Sequence, residues 1–415
     1  MNKLNVLKVI HGYPPYYMAG SEVYTYNLCN ELSKFLDISI FTRIEDIYLP
    51  PYEVEVSKES GIKVIRVNKP QRDYIFRDKY IDEKMARIFE DHLLKIKPDI
   101  IHIGHLSHLT VLIVDIIKRY NIPIIFTLHD YWMICVKGQL IRKNFELCTG
   151  PSVEKCYQCN EHYFHNEQTG KREIRKWLRK MDQINHKIDL FIAPSKFLKN
   201  VYIKNGIPSD KLIHMDYGFN KEYFQNIERR NTKKIRFGYL GRIIPVKGIN
   251  LLIDCFNEID PKKAQLNIYG RINASQLYLK NKIKNSNIHL CGGYEYWDIG
   301  KILANIDVLI APSIWYENSP LVIHEALLAN IPVITSDLGG MAELIKHGKN
   351  GLLFEPKNID DLKKKINLFV DRPVLIGELT IDETQIRSIK EDVKDLIKIY
   401  NQFIKSEREL SQFAG

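Results

Sequence analysis

Short apolar runs rich in β-branched residues alternate with amphipathic stretches along almost the whole chain. Near-continuous apolar runs are typical of strands buried in parallel sheets, and amphipathic stretches between them are typical of the helices that cover such sheets. The pattern therefore predicts βαβ units. The first half of the chain supplies six candidate strands, at residues 4–10, 37–42, 62–67, 99–104, 123–128 and 189–195.

A second series of strands follows the polar stretch at 227–234, which has no apolar periodicity. Because DLFIAPSKF and DVLIAPSIW repeat one local pattern, we expect two doubly wound domains with a ligand in the crevice that the carboxyl ends of their strands face. The five strands of the second series are predicted at 235–241, 265–270, 287–292, 306–313 and 331–337. The predicted divisions are a first domain at 1–217, a linker at 218–233, a second domain at 234–382, and an amphipathic helix at 383–415 that packs back on the first domain.

Composition narrows the class of protein only slightly. A chain of 415 residues with 45% hydrophobic and 27% charged residues is long enough for two or three globular domains. No apolar run approaches the length of a membrane span and the amino terminus does not resemble a signal sequence, so we expect a cytoplasmic protein. The net charge of +10 is compatible with nucleic acid, a membrane surface or small anions, and it selects none of them.

The stretch WYENSPLVIHEA at 315–326 follows a predicted buried strand. Ser319 is expected to cap a helix whose first residue is Pro320, since a missing N–H costs nothing at that position. The free amides of Leu321 and Val322 would then attract phosphate oxygens.

Two carboxylates, Glu317 and Glu325, flank this predicted phosphate site. A carboxylate repels phosphate but accepts hydrogen bonds from hydroxyls, which a sugar nucleotide carries on both sides of its diphosphate. Arg242 and Lys247 lie in the loop after an earlier strand of the same domain, and they can neutralise a diphosphate. Gly339 and Gly340, after a later strand, allow close backbone approach.

Several stretches, in this order and spacing, resemble the nucleotide-sugar half of glycosyltransferase family 4, which comprises retaining enzymes of the GT-B fold. They are GRIIPVKG, ENSPLVIHEA, IPVITSDLGG, AELI and HGKNGLLFEP. In the first half, AGSEVYTYNLCNELSK is similar to the family's glycine-rich loop and TLHDYW to its histidine segment. The resemblance implies an α/β chain of two Rossmann-like domains that face a central cleft.

The resemblance also implies roles for individual residues. Glu317 would bind the transferred sugar, Glu325 the ribose, and Arg242 and Lys247 the diphosphate, with His129 over the sugar near the reaction centre. The remaining residues expected to bind the donor are Gly20, Gly270, Asn318, Ser319, Leu321 and Val322, with the base near Gly270 and Arg271. Two departures from the family pattern are Ala19, where a second glycine is usual, and the ENSP sequence after the first glutamate.

The implied reaction is transfer of a hexosyl group from a nucleotide sugar to a glycan or lipid-linked acceptor in polysaccharide or glycoconjugate biosynthesis. The sequence does not distinguish a uridine from a guanosine base, and a UDP-sugar is the favoured donor. No Asp-x-Asp pair is present to chelate a divalent ion, so no cofactor is expected for catalysis. Nucleic acid is not an expected partner. The alternatives are a nucleotide-sugar epimerase of the same fold and a non-catalytic nucleotide-sugar-binding protein.

Four cysteines crowd into a predicted insertion at 135–165, and the last two form a C-x-x-C pair. Cys135, Cys148, Cys156 and Cys159 could form a structural zinc site or remain four reduced thiols, and His162 and His165 are competing ligands.

The stretch at 171–187 carries seven Lys or Arg against two acidic residues, with apolar residues at helical spacing. One interpretation is a basic amphipathic helix that lies on anionic lipid at the inner face of the cell membrane. The other is an ordinary helix that covers the first domain and exposes its charged side to solvent.

Overall fold

A computed structural model describes residues 3–69, 75–225, 227–229, 232–273, 277–379, 381–382 and 385–413, with side chains to residue 405. The chain divides into two compact units. The first comprises residues 1–143, 148–219 and 387–415, and the second comprises 144–147 and 220–386. The division between the units therefore falls two residues after the predicted end of the first domain. Part of the predicted linker, at residues 226, 230 and 231, lies outside the described residues.

The first unit contains an eight-stranded sheet with the order β3-β4-β2-β1-β5-β6-β7-β8. All neighbours in it are parallel except β3 and β4, which form an antiparallel pair at the edge. Its strands are β1 (Asn5–Val9), β2 (Asp37–Ile44), β3 (Val54–Glu59), β4 (Ile62–Asn68), β5 (Ile100–Ile103), β6 (Ile124–Thr127), β7 (Leu190–Ala193) and β8 (Leu212–His214). The connecting helices are α1 (Gly20–Leu32), α2 (Glu83–Ile96), α3 (Leu112–Arg119), α4 (Val153–Asn160), α5 (Glu167–Lys187) and α6 (Lys196–Lys204).

The second unit contains a six-stranded, wholly parallel sheet with the order β11-β10-β9-β12-β13-β14. Its strands are β9 (Ile235–Leu240), β10 (Ala264–Tyr269), β11 (Ile288–Gly292), β12 (Val308–Ala311), β13 (Val333–Ser336) and β14 (Gly351–Phe354). Its helices are α7 (Ile249–Phe256), α8 (Tyr278–Lys282), α9 (Ile299–Leu303), α10 (Leu321–Leu328), α11 (Gly339–Leu344), α12 (Ile359–Asp371) and α13 (Leu375–Glu378). Both units are doubly wound α/β structures, which confirms the predicted fold class.

The last helix, α14 (Ile389–Phe413), belongs to the first unit. Its buried Asp392 accepts a hydrogen bond from the Tyr24 hydroxyl at 2.8 Å and one from the Gly218 amide at 3.0 Å. Its Tyr400 hydroxyl lies 2.6 Å from Nδ1 of the buried His102 on β5. The helix begins at Ile389, later than the predicted start at residue 383, and Ser388 hydrogen bonds to Glu391 in its first turn. The first two residues of the predicted helix, 383 and 384, lie outside the described residues.

Three strands were not predicted from the apolar pattern. β3, at the sheet edge, has only exposed or partly exposed positions, β8 has three residues, and β14 has four. None of these has the long apolar run that marks the central strands. No helix among the described residues is long and apolar enough to cross a membrane.

Candidate active site

The order of the second sheet reverses at one point, between β9 and β12. The chain runs from β9 outward through β10 and β11 and then returns to the other side of β9 to form β12. Loops after such a pair of parallel strands diverge and leave a crevice, which is the usual ligand site in this architecture. Here the two loops touch: Gly248 has φ +76°, and a Cβ atom on it would lie 1.9 Å from the carbonyl oxygen of Pro312. The reversal therefore selects these two loops as the candidate site.

Glu317 is the best-anchored side chain in this region. Although it lies in the loop after β12, it is only 6% exposed. Its Oε1 atom accepts hydrogen bonds from Ser313 Oγ at 2.6 Å and from Trp315 Nε1 at 2.9 Å, and it pairs with Lys247 Nζ at 2.6 Å. These three contacts hold the carboxylate in one orientation, and none of them uses Oε2.

Lys247 links the two loops. It ends the short 3₁₀ turn Pro245–Lys247 after β9, and its ammonium group lies 5.6 Å from the ring centroid of Trp315. The pair with Glu317 cancels the charge that would otherwise repel an anion, so a buried carboxylate can stand beside a phosphate site. Arg242, in the same loop, has an exposed side chain, and its backbone carbonyl accepts a 2.7 Å hydrogen bond from the Tyr239 hydroxyl. Its guanidinium group therefore extends from an anchored backbone.

The paired glycines after β13 support the Glu317 loop. The Gly340 amide donates to the carbonyl oxygen of Glu317 at 3.0 Å, and a Cβ atom at Gly340 would lie 1.4 Å from the carbonyl oxygen of Asn318. Gly339 has φ +59°, which glycine adopts readily. The two glycines were predicted to allow close backbone approach, and in the structure the backbone that approaches them is the loop of Glu317 and Asn318.

The start of α10 differs from the prediction by one residue. The helix begins at Leu321, and Pro320 is the capping residue in an extended conformation, with φ −68° and ψ 119°. Ser319 therefore does not cap the helix; its hydroxyl lies 2.8 Å from Nε2 of His324. The amides of Leu321 and Val322 still belong to the first turn, where N–H groups have no carbonyl partner within the helix.

Glu325 is 2% exposed and lies on α10. Burial raises the pKa of its carboxyl group to about 7, while a hydrogen bond from the side chain of Tyr296 acts in the opposite direction. Tyr294, two residues before Tyr296, is also close enough for the Glu325 charge to raise its pKa, although burial is the larger cause. Near pH 7, a carboxyl group with this pKa is present in comparable amounts in its neutral and ionised forms.

Gly270, at the end of β10, lies directly against the loop after β9. Its amide donates to the Gly292 carbonyl at 2.7 Å, and a Cβ atom would lie 2.2 Å from the carbonyl oxygen of Gly241. Arg271 follows with an exposed side chain, 3.6 Å from Glu295. The position therefore requires glycine for packing within the unit.

In the first unit, Gly20 is the first residue of α1, and Ala19 is its N-cap. Ala19 has φ −83° and ψ 175°, an extended conformation that alanine adopts without strain. Alanine at position 19, where the family usually has a second glycine, is therefore compatible with a helix that begins at Gly20.

His129 lies just after β6 in the first unit. Its Nδ1 atom is 2.6 Å from the hydroxyl of Tyr217, whose ring stacks on the imidazole at 5.6 Å between centroids. Burial holds the pKa of His129 well below its usual value of 6.5, and the nearby Lys8 and His105 add to this effect. At neutral pH the imidazole is therefore uncharged and fixed in orientation.

Sequence reasoning missed the residues that orient the predicted ones. Ser313 and Trp315 hold Glu317, Tyr296 contacts Glu325, and Tyr217 holds His129. The only available signal was the spacing of Ser313 and Trp315, four and two residues before Glu317 in one loop. Tyr217 is 88 residues from its partner along the chain, so no local pattern indicates it.

Comparison with protein families identifies both halves of the chain. Residues 18–220 match the model described as Glycosyltransferase Family 4, and residues 220–402 match the model described as Glycosyl transferases group 1. Together the two matches span residues 18–402.

Individual proteins are similar at lower identity. An uncharacterised 42.6 kDa protein in the cps region of Klebsiella pneumoniae is 25% identical over 68% of this chain and 72% of its own length. An uncharacterised glycosyltransferase of Methanocaldococcus jannaschii, MJ1178, is 32% identical over 43% of this chain and 48% of its own length. The crystal structure of Anabaena Alr3699/HepE in complex with UDP-glucose matches with a TM-score of 0.66 and 18% identity, over 95% of this chain and 99% of that one.

Proposed function

Given that this chain is a glycosyltransferase of the GT-B fold, with a first half that matches family 4, we propose that it transfers a hexosyl group from a UDP-sugar with retention of the anomeric configuration. The proposed acceptor is a glycan or a lipid-linked saccharide of polysaccharide or glycoconjugate biosynthesis. Catalysis would require no metal or organic cofactor.

The observation that carries this proposal is the fixed pair of Glu317 and Lys247 where the second sheet reverses. A carboxylate held by three donors through one oxygen is preorganised to accept hydrogen bonds from sugar hydroxyls. Lys247 keeps the local charge neutral before the donor binds, and its ammonium group can then be shared with a diphosphate oxygen. The exposed Arg242 supplies a second cation from the same loop.

The first turn of α10 adds backbone donors to this set. Leu321 and Val322 follow a loop whose Asn318 and Ser319 are both buried, so the loop enters the helix along a fixed path. Amides at a helix start favour phosphate oxygens. We propose that these amides, Arg242 and Lys247 share the diphosphate of the donor.

We propose that Glu325 binds the ribose. Its carboxyl group is buried, with a pKa near 7, so a nucleotide that donates hydroxyl hydrogen bonds to the ionised form would lower that pKa and gain affinity. Gly270 is proposed to contribute to the base site with its backbone.

The proposed reaction breaks the bond between the anomeric carbon and the diphosphate oxygen and forms a bond from that carbon to the acceptor oxygen on the same face. The proton of the acceptor hydroxyl passes to the departing diphosphate, so the atoms balance without a separate base. His129, neutral and oriented by Tyr217, is proposed to hydrogen bond to the transferred sugar, and Gly20 to contact the donor through its backbone.

The donor base is proposed from a structural relative. The Anabaena protein HepE was crystallised with UDP-glucose, and its fold covers 95% of this chain. The K. pneumoniae relative lies in a cps region, which favours a glycan acceptor.

A donor screen tests the proposal directly. The full-length protein is incubated with a saccharide acceptor and, in separate reactions, with UDP-glucose, UDP-galactose, UDP-N-acetylglucosamine or GDP-mannose. The release of nucleoside diphosphate and the anomeric configuration of the new glycosidic bond are measured by NMR. Retention with a UDP-sugar is expected. An inverted product would refute the mechanism, an isomerised free nucleotide sugar would indicate an epimerase, and an intact donor despite measurable binding would indicate a non-catalytic protein.

Contact with a membrane is a separate proposal, for α5. The apolar side of this helix, which includes Ile174, Trp177 and Met181, is buried in the first unit. Lys180 and Lys187 pair with Asp115, so only part of the positive charge remains for other partners. Any contact with anionic lipid would therefore be electrostatic, and it should disappear at high salt in a liposome co-sedimentation assay.

A further inference from the structure

The four cysteines of the insertion meet in one place in the first unit. Cys135 lies in the turns after β6, Cys148 in the following loop, and Cys156 and Cys159 one turn apart on α4. All four line a single cavity. The fold thus brings together thiols that are up to 24 residues apart in the chain, whereas His162 and His165 are not among the residues that line this cavity.

The size of the cavity suits a single ion. Its volume is about 20 Å³, and a space of roughly 10–15 Å³ on the same measure holds one water molecule. A monatomic cation of the size of zinc matches the space.

Cys135 is surrounded by hydrogen-bond donors. The backbone amides of Lys137, Gln139 and Leu140 hydrogen bond to its sulfur. The chain turns back at Gly138, whose φ of +70° favours glycine. Several N–H groups directed at one cysteine sulfur are typical of the outer shell of a metal thiolate.

The charges around the cavity fit the same ligand. Four thiolates and one zinc ion carry a net charge of −2, and the cavity wall contains two lysines, Lys137 and Lys155. The described residues that line the cavity include no Asp or Glu. The wall therefore compensates the charge of a tetrathiolate zinc centre, which four neutral thiols would not need.

The thiols do not yet surround a common centre. Among the described residues, no group of three or more His, Cys, Asp or Glu side chains could hold a metal ion as arranged. Each cysteine side chain turns about one bond between staggered positions, so a change of rotamer can redirect its sulfur toward the space that the four cysteines line. Binding would then be coupled to ordering of this loop-rich segment, as in other structural zinc sites.

We propose that Cys135, Cys148, Cys156 and Cys159 bind one zinc ion as a structural site. Binding releases four thiol protons and forms four zinc–sulfur bonds, so charge balances at +2 on both sides. The centre would link the turns after β6 to α4 and involves no residue of the proposed donor site.

The first test is the metal content of the full-length protein, purified without a metal-affinity tag and measured by mass spectrometry. About one zinc per chain is expected. Cys156→Ser and Cys159→Ser should each lower this by several fold, whereas Cys291→Ser, an exposed cysteine outside the cavity, should retain it.

A thiol titration keeps the proposal testable if the serine variants fail to fold. A mercurial reagent added stepwise to the wild-type protein should release zinc as the cavity thiols react, and a chromogenic chelator reports the release. Zinc below about a tenth of an equivalent, with all thiols reactive, would overturn the proposal. So would a disulfide between any two of the four cysteines, or iron in place of zinc.

Discussion

Replacing Glu325 with glutamine should stabilise the protein while it weakens nucleotide binding. A carboxyl group is easier to bury when it is neutral, and burial accordingly raises the pKa of Glu325 from its ordinary value of 4.5 to about 7. Since the folded form binds the proton more tightly than the unfolded form, the stability of the wild-type protein should fall as the pH rises from 4.5 through 7. Glutamine is neutral throughout and keeps an oxygen that can accept from Tyr296.

The size of the effect follows from the shift in pKa. The difference of about 2.5 pH units corresponds to about 3 kcal/mol at pH 8, where the folded carboxyl group must ionise in a buried place. At pH 5 most of the folded population is already neutral, and the same calculation gives about 1 kcal/mol. The variant should therefore exceed the wild type in free energy of unfolding at both pH values, with a larger excess at pH 8.

Urea denaturation at pH 5 and pH 8 measures this excess, and Glu222→Gln, at an exposed glutamate of the same unit, is the matched control. The control should show no difference between the two pH values. An excess for Glu325→Gln that is the same at pH 5 and pH 8 would refute the reasoning, because the carboxyl group would then not titrate between them.

The binding half of the prediction uses the same variant. If Glu325 accepts hydrogen bonds from ribose hydroxyls, the thermal stabilisation of the wild-type protein by UDP should increase from pH 6 to pH 8 as the carboxylate forms. The variant should show a smaller UDP effect that does not vary with pH. If the variant is more stable than the wild type but binds UDP equally well, Glu325 is a buried structural residue that does not bind the ribose.

Three further predictions concern the groups that orient the site. Lys247→Ala should lower kcat by roughly 10²-fold or more, because it removes a diphosphate cation and leaves Glu317 as a buried carboxylate without its ion pair; transfer at the native rate would rule out the assignment. Trp315→Phe removes one donor to Glu317 and should cost about 1 kcal/mol, seen as a several-fold loss in kcat/KM, whereas unchanged kinetics would show that the other two donors suffice. Tyr217→Phe should lower kcat with little change in KM for the donor, because His129 loses the group that fixes its ring, and a change in KM alone would contradict a positioning role.

The central strands of both sheets could be predicted because burial on two faces leaves a continuous apolar run in the sequence. β9 and β12 each occupy such a run, and the loops after them were correctly located as a result. The antiparallel strand β3 has no such run because it lies at an edge, partly exposed to solvent. Strand order is also invisible in a local pattern, so the reversal between β9 and β12 is known only from the structure.

The start of α10 illustrates a second limit. Serine followed by proline is a common beginning of a helix, and the prediction placed Ser319 as the cap on that ground. In the structure the Ser319 hydroxyl instead meets His324, and Pro320 takes the capping position in an extended conformation. The choice between the two depends on a side chain five residues away, whose orientation is set by packing.

The environments of the two carboxylates, like the start of α10, depend on tertiary packing that a local sequence pattern does not reveal. From the sequence, Glu317 and Glu325 stand beside a predicted phosphate site with like charge, and hydroxyl recognition was inferred only from that repulsion. The structure supplies two different ways to reduce it: Lys247 neutralises Glu317 by direct contact, and burial keeps Glu325 partly protonated near pH 7. These mechanisms respond differently to pH and salt. A donor that binds through both groups should therefore lose affinity as the pH falls below 7, when Glu325 becomes protonated. The partly buried contact between Glu317 and Lys247 should be less sensitive to moderate salt than an exposed ion pair.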